Sequence, residues 1–285
     1  MLLIADSGST KCDWVLIQNE KDTPKKIRTK GLNPSVLTKK DLQAIIYNCN
    51  ELLEYKNEIT KVFFFGAGCS SIETNFVVEE ILSSLFENAK IVVKEDTMAA
   101  VWATTNAPAV VCILGTGSNC CYYDGKKIHM KVPSMGYVLM DECSGNYFGK
   151  ELLRAYFLNK MPQKIKLLFE NQFSLEIEEV LNKIYQNPTP NEYLAQFAIF
   201  LIQNKKQPFL NAILFKGIHD FVENHIMQFE EELKTNPVCF VGSIAFYLQD
   251  EIKFVLESKG IVASKFVRRP MEAVVENIKK DILVI

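Results

Sequence analysis

Two short turns, rich in glycine and hydroxyl residues, each follow an apolar run in this chain. The first turn is Asp6 to Thr10, after residues 2–5, and the second is Gly115 to Asn119, after residues 110–114. A second strand-like run follows each turn, which predicts that both turns lie at the ends of β-hairpins. Small residues let a polyanion come close to the backbone, where exposed N–H groups and hydroxyls can bind it. Because there are two such turns, we expect two related domains that close on one nucleotide.

Two carboxylates stand where phosphate chemistry would need them. Asp6 ends the first strand, where side chains project toward the ligand site of an open α/β sheet, and it could hold Mg²⁺, in part through water. Asp96 follows a short strand at residues 91–93 and could accept a proton from an alcohol. Both residues also have a structural interpretation: Asp6 would cap a turn, and Asp96 would cap the next helix, which contributes about 1 kcal/mol. The chain has no Gly-x-x-x-x-Gly-Lys-Ser/Thr pattern, so a P-loop is excluded.

The elements that must position these residues alternate between strands and helices, which indicates an α/β fold. The predicted strands are residues 2–5, 12–17, 62–65, 91–93, 109–114, 119–123, 238–241 and 264–267. The predicted helices are residues 42–53, 77–86, 145–160, 191 onward, 210–226 and 271–280. A hairpin begins both halves of the chain, which distinguishes this order from a simple doubly wound sheet.

The composition is that of an ordinary globular protein. The chain has 285 residues, 48% of them hydrophobic and 23% charged, with a net charge of −2. This charge gives no pull toward nucleic acid, and no apolar run approaches the roughly 18 residues that span a bilayer. The eight cysteines form no Cys-x-x-Cys pair, and the three histidines complete no zinc pattern. We therefore expect a cytoplasmic protein with free thiols, and we assign the histidines no functional role.

The two turns and their context resemble the actin-like ATPase and sugar kinase superfamily. More narrowly, residues 114–119 followed by residues 136–145 are similar to the N-acetylglucosamine kinases and to their relatives, the ATPases that activate benzoyl-CoA reductase. The resemblance covers nearly the whole chain and is most specific at residues 6–14, 95–100, 114–125 and 136–149. It implies two ribonuclease-H-like domains, residues 1–105 and 106–285, with ATP bound in a central cleft between them.

The resemblance also implies a role for each matching residue. Asp96 is the catalytic base and contacts the sugar, and Asp6 handles Mg²⁺. The nucleotide-binding positions it implies are Ser9, Thr10, Gly115, Thr116 and Gly117 at the phosphates, and Gly242 and Ser243 at the adenosine. The further sugar-binding positions it implies are Asn33, Ser118, Asn119 and Asp141. Structural interpretations stay open for several of these: Asn33 also fits a turn before Pro34, and Gly242 fits ordinary strand–turn–helix packing.

The sugar motif departs from the kinase pattern. The kinases usually carry glycines around the Asp-Glu pair, where this chain has Met140 and Cys143, so the wall of the sugar pocket is altered. Cys143 also allows a rival interpretation, an ATPase activator of a radical dehydratase or reductase that carries an iron–sulfur cluster. A third alternative is a non-catalytic sugar sensor on the same scaffold.

From the sequence we expect an ATP- and Mg²⁺-dependent kinase of an amino sugar, most simply N-acetylglucosamine converted to its 6-phosphate. Its partners would then be two small molecules, the sugar and ATP, with neither nucleic acid nor membrane. Members of the family are often homodimers.

Overall fold

The computed structural model describes residues 1–8, 11–19 and 23–282, and the chain divides into two compact units. Unit 1 comprises Met1–Ala103 together with Met271–Ile285, and unit 2 comprises Thr104–Pro270. Each unit contains a five-stranded sheet with helices packed against it.

The sheet of unit 1 begins with a hairpin and continues with parallel strands, in the order β3-β2-β1-β4-β5. Strands β1 and β2 pair antiparallel, as do β2 and β3, whereas β1, β4 and β5 run parallel. The bounds are β1 (Leu2–Ser7), β2 (Lys11–Ile17), β3 (Lys25–Lys30), β4 (Lys61–Gly66) and β5 (Lys90–Glu95). The sequence did not predict β3, because this edge strand is rich in Lys and buries only Ile27.

Alternate side chains of β1 and β4 enter two different apolar layers of unit 1, as the two-residue period of a strand requires. One face, with Trp14 and Phe64, packs under the first three helices. On the other face, the rings of Phe63 and Phe65 meet Trp102 edge-on, with centroids 5.7 and 5.4 Å away. The helices of unit 1 are α1 (Lys39–Tyr47), α2 (Asn50–Leu53), α3 (Ile72–Leu85), α4 (Asp96–Thr104, which carries Trp102) and α15 (Pro270–Ile282).

The last helix packs on unit 1, whereas the sequence-based division places residues 271–285 with the second half of the chain. The amide Nδ2 of Asn277 donates to the carbonyl of Trp102 at 2.6 Å, and Val274 and Val275 are buried. The chain therefore returns to its first unit at its end, and the apolar stripe of α15 is what brings it back.

The sheet of unit 2 repeats the hairpin-first plan in the order β10-β9-β6-β7-β8. Strands β6 and β7 form the hairpin, and β9 and β10 add parallel strands beside β6. The bounds are β6 (Ala109–Leu114), β7 (Ser118–Tyr123), β8 (Ile128–His129), β9 (Val238–Val241) and β10 (Ala263–Val267).

A large helical layer completes unit 2. Its core contains a cluster of phenylalanines, in which the ring of Phe169 lies 5.0 to 5.7 Å from the rings of Phe173, Phe197 and Phe200. The helices are α5 (Gly136–Leu139), α6 (Gly145–Phe157), α7 (Gln163–Gln172), α8 (Ile177–Tyr185), α9 (Pro190–Ala195), α10 (Ala198–Gln203), α11 (Pro208–Asn224), α12 (Glu230–Leu233), α13 (Ser243–Tyr247) and α14 (Gln249–Glu257). Among the helices that the structure describes, none has the length and hydropathy that crossing a bilayer requires.

Helices α6 and α9 approach each other at Gly149, which generates a stability prediction. A methyl group at Gly149 would overlap the carbonyl group of Leu194. Gly149→Ala would gain up to about 1 kcal/mol of helix propensity, but relieving the overlap requires backbone movement, which costs about 1–3 kcal/mol. We expect a net fall in the free energy of unfolding, measured by urea denaturation.

Gly260→Ala is the control, because a methyl there meets no atom within reach and only its left-handed φ of +70° is unfavourable, by about 1–2 kcal/mol. Combining the two changes should give additive losses, since the sites share no contact. A Gly149→Ala protein as stable as wild type would contradict the close approach of the two helices.

Candidate active site

Two carboxylates of unit 1 meet at one edge of its sheet. Asp6 on β1 pairs in register with Phe65 on β4, and Phe65 pairs with Lys94 on β5, one residue from the end of that strand. Helix α4 then begins at Asp96. Because β1, β4 and β5 run parallel, their carboxyl ends lie along the same edge, as the sequence-based placement of Asp6 and Asp96 requires.

The ionisation of Asp6 reflects this proximity. Burial raises its pKa to about 6, and the negative charges of Asp96 and Asp13 add to the effect, while Lys11 opposes it. Burial likewise raises the pKa of Asp96, although its Oδ1 accepts a hydrogen bond from the backbone N–H of Thr97 at 2.9 Å. A carboxylate whose pKa moves toward neutrality is a better proton acceptor, and such groups concentrate at functional sites.

Asp96 also acts on two further neighbours. The pKa of Glu95 is raised by burial and then by the charge of Asp96, and the pKa of the Cys69 thiol is raised to about 12 by the same two causes. This edge of unit 1 therefore concentrates negative charge, which Lys11 offsets only in part. A divalent cation would relieve that charge, and carboxylate oxygens are the ligands that Mg²⁺ prefers.

The described residues contain no group of three or more His, Cys, Asp or Glu side chains arranged around one metal position. Mg²⁺ fits such a sparse donor set, because it keeps several waters and binds through one or two carboxylates together with substrate phosphates. Asp6 could therefore hold the ion only together with a phosphate ligand. Ser9 and Thr10, the other predicted residues of this turn, lie outside the described residues.

Asn33 lies in a buried turn beside the end of β4. Its Oδ1 accepts the backbone N–H of Ser35 at 2.9 Å, and a methyl on Gly68 would overlap that oxygen. The hydroxyl of Ser35 reaches the carbonyl of Gly68 at 3.3 Å. These contacts support the structural interpretation of Asn33 as a turn residue, and they leave its predicted contact with a sugar as a prediction.

In unit 2, the turn between β6 and β7 is held by its carbonyl groups. Gly115 N–H donates to the carbonyl of Gly117 at 3.0 Å, which closes the turn. The first two amides of helix α6 then donate back to the turn: Gly145 N–H to the Gly115 carbonyl at 2.8 Å, and Asn146 N–H to the Thr116 carbonyl at 3.0 Å. The carbonyl groups are thereby directed toward the protein.

The amides of Thr116 and Gly117 make no hydrogen bond within the part of the chain that the structure describes. The hydroxyl of Ser118 is buried and has no partner there either. Adjacent free amides in a turn of small residues form an anion-binding nest, and a buried hydroxyl without a partner is unfavourable unless a ligand pairs with it. The geometry of this turn thus suits a phosphate group.

The predicted adenosine motif lies directly against this turn. A methyl on Gly242 would overlap the carbonyl of Leu114 and would lie 3.2 Å from the amide nitrogen of Gly115. Gly242 has φ of +116°, and its N–H donates to the carbonyl of Val267 at the end of β10. Helix α13 begins at the next residue, Ser243. The structure therefore brings the predicted residues 115–117 and 242–243 together at one edge of the unit 2 sheet.

Asp141 is also brought to this turn, but it faces protein groups. Its Oδ1 accepts the backbone N–H of Ser118 at 3.1 Å, and its Oδ2 accepts from the side-chain amide of Asn146 at 2.8 Å. The side-chain oxygen of Asn119 accepts a hydrogen bond from the backbone N–H of Cys120 at 2.8 Å. The predicted sugar contacts of Asp141 and Asn119 remain predictions.

Sequence reasoning missed Asn146 and Ser144, the residues that connect α6 to the turn. Ser144 caps the helix by accepting the N–H of Tyr147 at 3.2 Å, and its hydroxyl donates to the side-chain oxygen of Asn146 at 3.1 Å. A Ser directly before the first residue of an amphipathic helix is a known N-cap signal, which could have identified Ser144. No local signal identifies Asn146, whose role depends on the neighbouring hairpin.

Glu142, next to Asp141, is paired within unit 2. Its Oε2 lies 3.0 Å from Nε2 of the buried His225, whose ring stacks on Phe221. The sequence assigned His225 no role, and the structure gives it this side-chain contact between α11 and the loop before α6.

Solved structures were found that match the chain, although no protein-family model and no curated protein does. The chain is similar to a candidate N-acetylglucosamine kinase from Porphyromonas gingivalis, at 28% identity and a TM-score of 0.86, over 97% of this chain and 98% of that one. It is similar to a candidate N-acetylglucosamine kinase from Chromobacterium violaceum, at 13% identity and a TM-score of 0.59, over 97% and 98% of the two chains.

A third match is a ROK family glucokinase from Streptomyces griseus in complex with glucose and AMPPNP, at 12% identity and a TM-score of 0.51, over 94% of this chain and 93% of that one. The chain has the fold of the sugar kinase and actin-like ATPase superfamily. The α/β fold class predicted from the motifs is thereby confirmed, and so is the resemblance to N-acetylglucosamine kinase-like proteins.

The raised pKa of Asp6 predicts how stability depends on pH. The folded state disfavours ionised Asp6, so above pH 6 this carboxylate destabilises the fold, on the order of 1–3 kcal/mol. Asp6→Asn should therefore be more stable than wild type at pH 8. The difference should shrink as the pH falls through about 6 and vanish below about 4. Urea denaturation in EDTA at several pH values measures it.

Asp124→Asn is the control, because the change in stability expected for it has the opposite sign. Its pKa is lowered, first by the hydrogen bond with His129 and then by the backbone N–H groups of Lys127 and Lys126. Asp124→Asn should therefore lose stability at neutral pH. An Asp6→Asn protein that is less stable than wild type at pH 8 would show that Asp6 has a compensating partner.

Proposed function

We propose that this chain is an ATP-dependent kinase of an amino sugar, most simply of N-acetylglucosamine, and that its product is the 6-phosphate. The observation that carries the proposal is the turn at Gly115–Gly117, in which the carbonyls of Gly115 and Thr116 accept from α6 while the amides of Thr116 and Gly117 have no partner among the described residues and could bind phosphate. The structural neighbours support the enzyme class, an ATP-dependent carbohydrate kinase, since they include sugar kinases. We expect the enzyme to act in the cytoplasm.

Phosphoryl transfer asks the protein mainly for alignment and charge stabilisation. In the proposed reaction the amides of Thr116 and Gly117 hold the β- and γ-phosphates, and the loop at Gly242 and Ser243 receives the adenosine. Asp6 would hold Mg²⁺, which would neutralise charge on the phosphates. In this proposal the acidic residues belong to unit 1 and the phosphate-binding turn belongs to unit 2.

Asp96 is the proposed base. The sugar hydroxyl oxygen forms a bond with the γ-phosphorus as the bond from that phosphorus to the β,γ-bridging oxygen breaks, and the hydroxyl proton passes to the Asp96 carboxylate. ADP leaves with the bridging oxygen. The raised pKa of Asp96 suits this role, because a more basic carboxylate accepts a proton more readily.

The proposed sugar contacts are Asn33 and Asp96 in unit 1, and Ser118, Asn119 and Asp141 in unit 2. The hydroxyl of Ser118 supports this assignment best, because it is buried without a partner in the described part of the chain and a sugar hydroxyl would satisfy it. Side-chain amides such as those of Asn33 and Asn119 can both donate to and accept from vicinal hydroxyls.

The rival activator function is not favoured. Cys143 is fully buried in the core of unit 2, and burial raises the pKa of its thiol well above the usual range. A cluster ligand must be a thiolate that a partner subunit can reach, and a buried neutral thiol offers neither property. Iron in the purified protein would revive that alternative.

The base assignment predicts the behaviour of Asp96→Asn. This variant should fold normally and lose kcat by roughly 10²–10⁴-fold, because the amide cannot accept the hydroxyl proton. ADP release in the presence of N-acetylglucosamine measures the loss. Asp41→Asn is the matched control: Asp41 also lies in the first turn of a helix of unit 1, at α1, where its carboxylate accepts from Thr38, so this variant tests the loss of a helix-capping carboxylate that the proposed reaction does not use.

Asp41→Asn should keep wild-type turnover. Near-normal turnover by Asp96→Asn would rule out Asp96 as the base, and equal losses in both variants would assign the effect to helix stability.

The substrate assignment predicts a sugar-dependent release of ADP. Among N-acetylglucosamine, glucosamine, N-acetylmannosamine, N-acetylmuramic acid and glucose, we expect the largest kcat/KM for N-acetylglucosamine, with the phosphate at O6 by NMR. Release of ADP at a rate that does not depend on the sugar would favour the activator function. ATP binding without turnover of any sugar would favour the sensor.

A further inference from the structure

The loop that precedes α6 is connected to the phosphate turn by a chain of buried hydrogen bonds. Ser144 donates to Oδ1 of Asn146 at 3.1 Å, Nδ2 of Asn146 donates to Oδ2 of Asp141 at 2.8 Å, and Oδ1 of Asp141 accepts the N–H of Ser118 at 3.1 Å. These four residues are all at least nine-tenths buried. The donor and acceptor of each link are complementary, and the hydrogen bonds converge on the Asp141 carboxylate, from Ser144 through Asn146 on one side and from Ser118 N–H on the other.

The backbone of Asp141 is held in a conformation that serves this contact. Its φ of 70° is left-handed, which is unfavourable for a residue other than glycine and is found where the surroundings impose it. The carboxylate also packs on Gly117, since a methyl there would lie 2.9 Å from Oδ2. A larger residue at position 117 would therefore displace Asp141, and movement of Asp141 would release the turn.

We propose that Asp141 is a positioning residue for the nucleotide, which fixes the Gly115–Gly117 turn in its phosphate-binding conformation through the N–H of Ser118 and the side chain of Asn146. This inference rests on the proposed function. It gives Asp141 a role in nucleotide affinity, whereas the resemblance implies a role in sugar affinity. Both carboxylate oxygens are engaged by protein donors, so a sugar hydroxyl would have to share them.

Substitution of Asp141 and Asn146, first singly and then together, tests which side chain donates and which accepts in the hydrogen bond between them. In Asp141→Asn, one orientation of the new amide can still accept from Ser118 N–H, but its nitrogen then faces the nitrogen of the Asn146 amide, and two donors oppose each other. Rotation of the Asn146 amide would remove that opposition, but the Ser144 hydroxyl would then lose the acceptor of its proton. In either arrangement one buried hydrogen bond is lost. The reciprocal double variant Asp141→Asn/Asn146→Asp restores a donor opposite an acceptor. In that variant the new carboxylate at position 146 can still accept from Ser144.

The experiment measures the affinity for the fluorescent analogue mant-ATP with Mg²⁺, in the full chain and without sugar. We expect Asp141→Asn to weaken binding about tenfold and the double variant to recover to within about threefold of wild type. The KM for N-acetylglucosamine should change less than the KM for ATP. Asp124→Asn is the matched control, because Asp124 also accepts backbone N–H groups at a turn, after the other end of β7, and it should leave the affinity unchanged.

Unchanged mant-ATP affinity in Asp141→Asn, or a loss confined to the KM for the sugar, would overturn the inference while leaving the kinase function standing. A wild-type protein that binds no mant-ATP would refute the proposed function itself. Should Asp141→Asn fail to fold, the inference is tested instead with Asn146→Ala, in which amide hydrogen exchange and nucleotide binding are measured. Faster exchange across residues 114–120, with weaker nucleotide binding, supports the inference, and unchanged exchange and binding overturn it.

Discussion

The first two amides of α6 donate to the carbonyls of Gly115 and Thr116, and the nucleotide side of the proposed site depends on this contact. A hairpin turn of small residues has many conformations, and ordering it costs about 1–2 kcal/mol per residue. The hydrogen bonds to helix α6 offset that cost in the folded protein. They do so because the carbonyls of the turn accept from backbone amides that every helix leaves unpaired at its start. The same contact turns the carbonyl groups inward and leaves the amides of Thr116 and Gly117 without a partner in the part of the chain that the structure describes.

In unit 1, by contrast, the residues that suit the proposed chemistry lower the stability of the fold. Parallel strands bring Asp6 and the start of α4 to one edge, so the topology itself crowds Asp6, Glu95 and Asp96. The raised pKa values of these residues mean that the folded state disfavours their charges, and the fold keeps them at a cost to stability. A bound divalent cation would reduce that cost, because its charge favours the ionised carboxylates. The structure is thus suited to an acidic site that is completed by its ligand.

Much of this arrangement could be predicted from the sequence, because the signals are local. The apolar runs that end in Gly115 and Gly242 predicted two strand ends, and parallel pairing of β6 with β9 places them together. Strand β3 (Lys25–Lys30) was not predicted, because it buries one residue and its sequence resembles that of a charged connection. The return of the last helix to unit 1 escaped prediction as well, because only the tertiary contacts of α15 distinguish its two possible partners. Asn146 was missed for the same reason.

The two departures from the kinase pattern have different physical consequences. Cys143 adopts φ of 58° where a glycine would fit without strain, and its side chain points into the core, with no exposed surface. The strain of about 1–2 kcal/mol is offset by burial of the thiol, so this change affects packing. The other departure, Met140, ends a segment of a different kind, in which the preceding Val138 and Leu139 are about 70% exposed. Exposed apolar side chains at that position alter the surface beside the proposed site. We therefore expect sugar selectivity to be decided by residues 135–140, while nucleotide binding depends on the hydrogen bonds of Asp141.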